Sequence, residues 1–87
     1  MVYEVIWHDR VLKDLKGIDH KAIGAIVEKI KTHLARNPLA LGKPLKGIFK
    51  GLFRFRHADY RIIYALDREE KKIIVLHIVH RKEAYRR

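Results

Sequence analysis

The chain has 87 residues, enough for one hydrophobic core and too few for two. With 48% hydrophobic and 34% charged residues it folds rather than staying disordered, and without cysteine it can form neither a disulfide nor a thiolate metal site. The net charge of +10 is segregated: residues 1–36 hold 7 basic and 5 acidic side chains, residues 37–87 hold 13 and 5, and no acid occurs from Lys29 to Ala58. A field of that sign gathers polyanions, whereas a basic surface serving solubility alone would be interspersed with acids. The opening MVYEVIWHDR is too short and too polar for a signal peptide, and no apolar run approaches a membrane span. A reducing, cytoplasmic setting is expected, or a partner that supplies extra burial.

Val2–Trp7 is apolar, aromatic and β-branched apart from Glu4, and predicts a first strand. Asp9 is an expected N-cap for a short helix with Val11, Leu12 and Leu15 on its apolar face, closed by Gly17 in the left-handed conformation. Asp19 is placed to cap a second helix, in which Ile23, Ile26, Val27, Ile30 and Leu34 follow one helical face. Asn37-Pro38 ends it, because proline disfavours helical geometry in the residue before it. Residues 38–51, PLALGKPLKGIFKG, predict a basic loop with a short extended piece. Leu52–Arg56 alternates Phe53 and Phe55 with Arg54 and Arg56, the period of a strand. His57-Ala58-Asp59 predicts a hairpin turn, Tyr60–Leu66 the next strand and Asp67–Lys71 a charged turn. Lys72–Val79 predicts a last strand, apolar on both faces and therefore central. The expectation is a single α+β domain over residues 1–87, βααβββ, with a helical hairpin packed on one face of a small, mainly antiparallel sheet.

Four segments, YEVIWHDRVLKDLKGID, NPLALGKPLKG, GLFRFRHADYRIIYALD and IVLHIVHRKEAY, resemble the consecutive signature segments of the RelE/ParE toxin superfamily, in order across nearly the whole chain. The resemblance is closest to RelE-like toxins of type II toxin–antitoxin systems. It implies the same βααβββ fold and a metal-independent endoribonuclease, without a cofactor, that cuts messenger RNA in the ribosomal A site. It also implies a cognate antitoxin that neutralises the toxin, and an antitoxin complex that binds operator DNA. ParE-type members use the same fold to poison DNA gyrase without nuclease chemistry, so fold alone leaves the function open. A module that binds RNA or DNA without cleaving it is a third reading.

Cleavage of RNA through its own 2′-hydroxyl needs a base, cations for the phosphorane charge and an acid for the leaving oxygen. Arginine suits the second task because its planar fork holds two phosphate oxygens. By the resemblance, Arg61 and Arg81 are candidate catalytic arginines and Tyr85 a catalytic or base-stacking tyrosine. The alternatives are solvent-facing arginines and a tyrosine that pins the tail. Arg54 and Arg56 are assigned to phosphate contact, since an arginine hardly serves as a base. Lys43, Lys46 and Lys50 are expected to touch the RNA backbone without sequence choice. His57 and His80 are candidate proton carriers, or else plain turn and strand-end residues. His8, His20, His33 and His77 lack metal-like spacing, and Trp7 and Phe49 are expected to pack.

Overall fold

A computed structural model describes residues 2–80. The elements are β1 (Glu4–Trp7), α1 (Asp9–Leu15), α2 (His20–Lys29), α3 (Pro38–Leu41), β2 (Lys43–Pro44), β3 (Leu52–His57), β4 (Tyr60–Asp67) and β5 (Lys72–His80). They form one sheet in the order β1-β5-β4-β3-β2, with β1 parallel to β5 and every other neighbour antiparallel. The expected architecture therefore stands. The additions are the four-residue helix and the two-residue strand, both inside the stretch read as a loop.

Val11 of α1 and Ile26 of α2 press on the sheet with Ile30, Leu34 and Ala35, meeting Phe55, Ile62, Tyr64, Ile73, Val75 and Ile78. The i, i+4, i+8 run of Ile26, Ile30 and Leu34 is the expected apolar face. It stays inward because α2 continues into a wider π-helical turn over Ile30–Leu34, where the Ala35 N–H reaches the Ile30 carbonyl at 2.8 Å. Leu12, expected on the apolar face of α1, is 54% exposed. The N-cap of α1 is His8 and not Asp9: its Nδ1 accepts the Arg10 N–H at 3.1 Å. Gly17 is not left-handed; the turn closes instead through its N–H to the Asp14 carbonyl at 3.2 Å. Asp19 does precede α2, without a side-chain cap bond.

β5 lies between β1 and β4, but only one of its apolar faces is fully covered: Ile73, Val75 and Ile78 are buried, Ile74, Leu76 and Val79 half-buried, and its alternation slips. A bulge at the Ile63/Tyr64 step pairs Ile63 with His77 and Tyr64 with Val75. Past that point the inward residue of β5 is Ile78, and His77 turns to the opposite face. Beyond Trp7, which pairs with Val75, β5 has no strand on its outer side. The carboxylate of Asp14 fills part of that edge, accepting the Ile78 N–H at 3.1 Å.

Tyr64 joins the sheet to α3. It is fully buried, stacks on Phe53 with ring centroids 5.6 Å apart, and its Oη donates to the Pro38 carbonyl at 2.6 Å. Burial pushes its phenol above the ordinary tyrosine value, so the donor keeps its proton. A folded-state value above the unfolded one leaves stability constant below about pH 10 and lowers it as pH rises further. Tyr64→Phe, which orphans the Pro38 carbonyl, is expected to cost about 1–2 kcal/mol at neutral pH. In urea unfolding, the gap between the two proteins is expected to narrow by pH 11.

Candidate functional site

The helices cover one face of the sheet and leave the other open. Along β3 the pleat sends Phe53 and Phe55 to the core and Leu52, Arg54 and Arg56 to the open face. The β3–β4 hairpin fixes their partners. It turns through Ala58 and Asp59 between the paired residues His57 and Tyr60, with Ala58 at φ 53°. Arg56 then stands directly opposite Arg61, Arg54 opposite Ile63, and Lys43 of β2 opposite Arg54. Four cations thus share one patch, two of them as a cross-strand pair. Like charges directly opposite each other destabilise a sheet, and a ligand of opposite charge on this patch would relieve that repulsion.

Two hollows meet at Arg61. One, of about 270 Å³, is bounded by Leu41, Lys43, Arg54, Phe55, Arg56 and Arg61. The other, of about 670 Å³, is mainly apolar: Leu45, Phe49, Leu52, Ile63, Leu76 and Val79 form its walls, with His8, Arg10, Arg61 and His77 around them. Arg61 is therefore placed to hold an anion while its neighbour accommodates something apolar or flat. Phe49 is 55% exposed and lines this hollow rather than packing in the core, whereas Trp7 packs against the core as expected. Lys46 and Lys50 are exposed and flank the 3₁₀ turn Gly47–Phe49, whose Ile48 is 92% exposed.

The two candidate proton carriers lie elsewhere. His57 and His80 both pair with Tyr60, on the helix side of the sheet, and His80 meets the Tyr60 ring edge-on at 5.1 Å. The arginines leave the opposite face. The structure instead brings His77 and His8 to the arginines' side. His77 Nδ1 donates to Asp14 Oδ2 at 2.5 Å, across 63 positions of sequence. A lone histidine in the apolar run IIVLHIV was the one sequence signal for it. Arg81 and Tyr85 lie outside the described residues; the described part of β5 ends at His80, opposite Tyr60 and beside Arg61. Among the described residues, no three or more His, Asp or Glu side chains gather as a metal site would require, and no helix is long and apolar enough to cross a membrane.

Comparison with known proteins agrees with this architecture. The profile of the family described as "ParE toxin of type II toxin-antitoxin system, parDE" matches residues 5–85. Toxin RelG of Mycobacterium tuberculosis is 34% identical over 87 residues, the whole of both chains. Toxin RelE of the same organism is 36% identical over 84 residues, covering 97% of this chain and 87% of that one. In the crystal structure of the M. tuberculosis toxin–antitoxin complex RelBE2, one chain superposes with a TM-score of 0.89 at 32% identity, covering 93% of this chain and 100% of that one.

Proposed function

Since the chain belongs to the RelE/ParE family of toxins of type II toxin–antitoxin systems, we propose that it is a metal-independent endoribonuclease that cuts messenger RNA in the ribosomal A site and stops translation. The observation that carries this reading is the cross-strand pair Arg56–Arg61, with Arg54 and Lys43 beside it on the open face. A phosphodiester laid on that patch has its non-bridging oxygens among guanidinium groups. The 2′-oxygen attacks phosphorus, the P–O5′ bond breaks, and the negative charge that grows on the phosphorane is met by preorganised donors. Arg61, shared by both hollows, is the central donor; Arg54 and Arg56 hold the flanking phosphate. Arg81 is proposed as a second stabilising arginine, and Tyr85 as a catalytic or base-stacking side chain.

Lys43, Lys46 and Lys50 add affinity without sequence choice. Replacing all three with glutamine is expected to lower the slope of log K against log salt by about 2 for a single-stranded RNA, as three lost phosphate contacts require. Fluorescence anisotropy at several salt concentrations measures it. A cognate antitoxin is the expected inhibitor. A chain of net charge +10 with an apolar hollow beside its arginine patch fits an acidic amphipathic segment. The complex of the two is proposed to bind operator DNA. Pull-down from the native host should recover one small co-encoded protein.

The deciding experiment is cleavage of messenger RNA on programmed ribosomes by the natural chain and by Arg81→Ala. The nuclease reading expects codon-register cuts that Arg81→Ala reduces by orders of magnitude with the fold intact. The second reading, a gyrase inhibitor without nuclease activity, has the ParE family profile in its favour. Intact RNA together with inhibited supercoiling by purified gyrase would establish it.

A further inference from the structure

The arginine patch can stabilise charge, but it holds no group suited to accept a proton. The adjoining hollow does. His77 and Arg61 both line it, and the register places Arg61 opposite Val79 and Ile63 opposite His77. The two are thus diagonal neighbours on adjacent strands, on the order of 7–8 Å apart at the backbone. His77 remains 40% exposed at its side chain, so one edge of the ring is open to a ligand, while its partner Asp14 is only 19% exposed.

The bond between them decides the tautomer. Asp14 Oδ2 accepts from His77 Nδ1 and, with the same oxygen, from the Ile78 N–H. A ring whose Nδ1 carries the proton presents a bare lone pair at Nε2. Asp14 itself is held by a backbone N–H, so the ring is oriented by a group that is oriented in turn. This is the base-and-orienter arrangement of general-base catalysis. The other charged or titratable groups around the hollow are Arg61 on β4, Arg10 on α1 and His8 before it. The neutral ring of His8 has the opposite tautomer, because its Nδ1 accepts the Arg10 N–H.

We propose that His77 is the residue that takes the 2′-hydroxyl proton, with Asp14 as its positioning residue; this rests on the nuclease reading above. In the step, His77 Nε2 accepts the proton from the 2′-hydroxyl, and the O2′–P bond forms as the P–O5′ bond breaks. The O5′ oxygen takes a proton from water, and the hydroxide left behind is neutralised by the proton that His77 then releases. The products are a 2′,3′-cyclic phosphate and a 5′-hydroxyl. The Asp14 carboxylate compensates the positive charge that then sits on the imidazole.

A structural clasp between α1 and the edge of β5 would use the same bond, so the test must separate the two roles. Single-turnover cleavage on programmed ribosomes is measured from pH 5 to 9 for the natural chain, His77→Gln, Asp14→Asn and Arg61→Ala, with circular dichroism and thermal midpoints beside it. His77→Gln is expected to slow cleavage by roughly a hundredfold or more. It should also abolish the fall in rate on the acid side that protonation of an imidazole produces. Asp14→Asn, which keeps an acceptor for the Ile78 N–H, is expected to slow cleavage at least about tenfold. Arg61→Ala should slow cleavage yet keep the acid limb. His77→Gln with the natural rate and pH profile overturns the proposal and leaves the nuclease reading standing. A natural chain that cuts nothing overturns both. A titration of the natural chain with a 2′-deoxy trinucleotide, which cannot react, gives a readout independent of variant folding: the His77 imidazole resonances are expected to move on binding, and unmoved resonances count against the assignment.

Discussion

Arg61→Ala is expected to lower messenger-RNA cleavage on programmed ribosomes by about two to three orders of magnitude, the usual effect of deleting one preorganised donor to transition-state charge. Its thermal midpoint should stay close to that of the natural chain. Arg61 borders both hollows on the open face, so no neighbour can take over its place between them. It also faces Arg56 directly across the β3–β4 ladder, and relief of that repulsion offsets part of whatever the side chain contributes to folding. Arg61→Lys retains the charge but loses the planar fork, and should recover only a fraction of the activity. Arg68→Ala, an exposed change in the β4–β5 turn, serves as the control and should cleave normally. Loss of activity accompanied by an equal loss at Arg68 would mean that bulk charge, not placement, matters.

Gly42→Ala is expected to be strongly destabilising, since among the glycines Gly42 is where an added Cβ meets the closest contacts. A Cβ there would lie 1.6 Å from Tyr64 Oη, 2.7 Å from its Cζ and 3.1 Å from the Pro38 carbonyl oxygen. The tyrosine cannot swing aside, because it is fully buried and stacked on Phe53. Overpacking of about 1–3 kcal/mol combines with loss of the Tyr64–Pro38 hydrogen bond. A total of about 3 kcal/mol lowers the melting temperature of a domain this size by on the order of 12–24 °C. The double variant Gly42→Ala with Tyr64→Phe removes the nearest clashing atom and should recover part of the loss. Thermal unfolding followed by circular dichroism measures both. An unchanged midpoint for Gly42→Ala would show that α3 can detach from the sheet at little cost.

The elements that were legible in the sequence are those whose pattern repeats. Phe-Arg-Phe-Arg declared both the strand and its faces, and Ile26, Ile30 and Leu34 declared the inner face of α2. Asn37-Pro38 announced the end of the helical segment. Shorter elements were hidden. Lys43-Pro44 is two residues long and contains a proline, so nothing in it reads as a strand until β3 lies beside it. Pro38–Leu41 is a single helical turn started by its proline. The caps misled because His8 does the work assigned to Asp9. Of the candidate site, the shared face of Arg54 and Arg56 followed from alternation, whereas Arg61 came from the resemblance. His77 followed from neither. Counting by twos from Ile73 and Val75 puts His77 in the core and Ile78 outside, and only the bulge at Ile63/Tyr64 reverses them. Its partner Asp14 is 63 residues away, a distance no local pattern spans.

The sheet order has a consequence for how the chain comes into being. Among the described residues the first strand, β1, pairs only with the last, β5, and β5 also closes the β3–β4 hairpin into a three-stranded unit. As the polypeptide emerges from its N-terminus, β1 therefore waits for a partner 68 positions downstream, from Glu4 to Lys72. Until then both the hairpin and β1 carry open edges, the condition in which nascent β-proteins aggregate or are captured. The arginine face, built on β3 and β4, gains its rigid backing only when β5 is in place. A chain stopped before Lys72 therefore lacks the strand that β1 and β4 both pair with, together with Ile73, Val75 and Ile78 of the core, and is expected not to hold this fold.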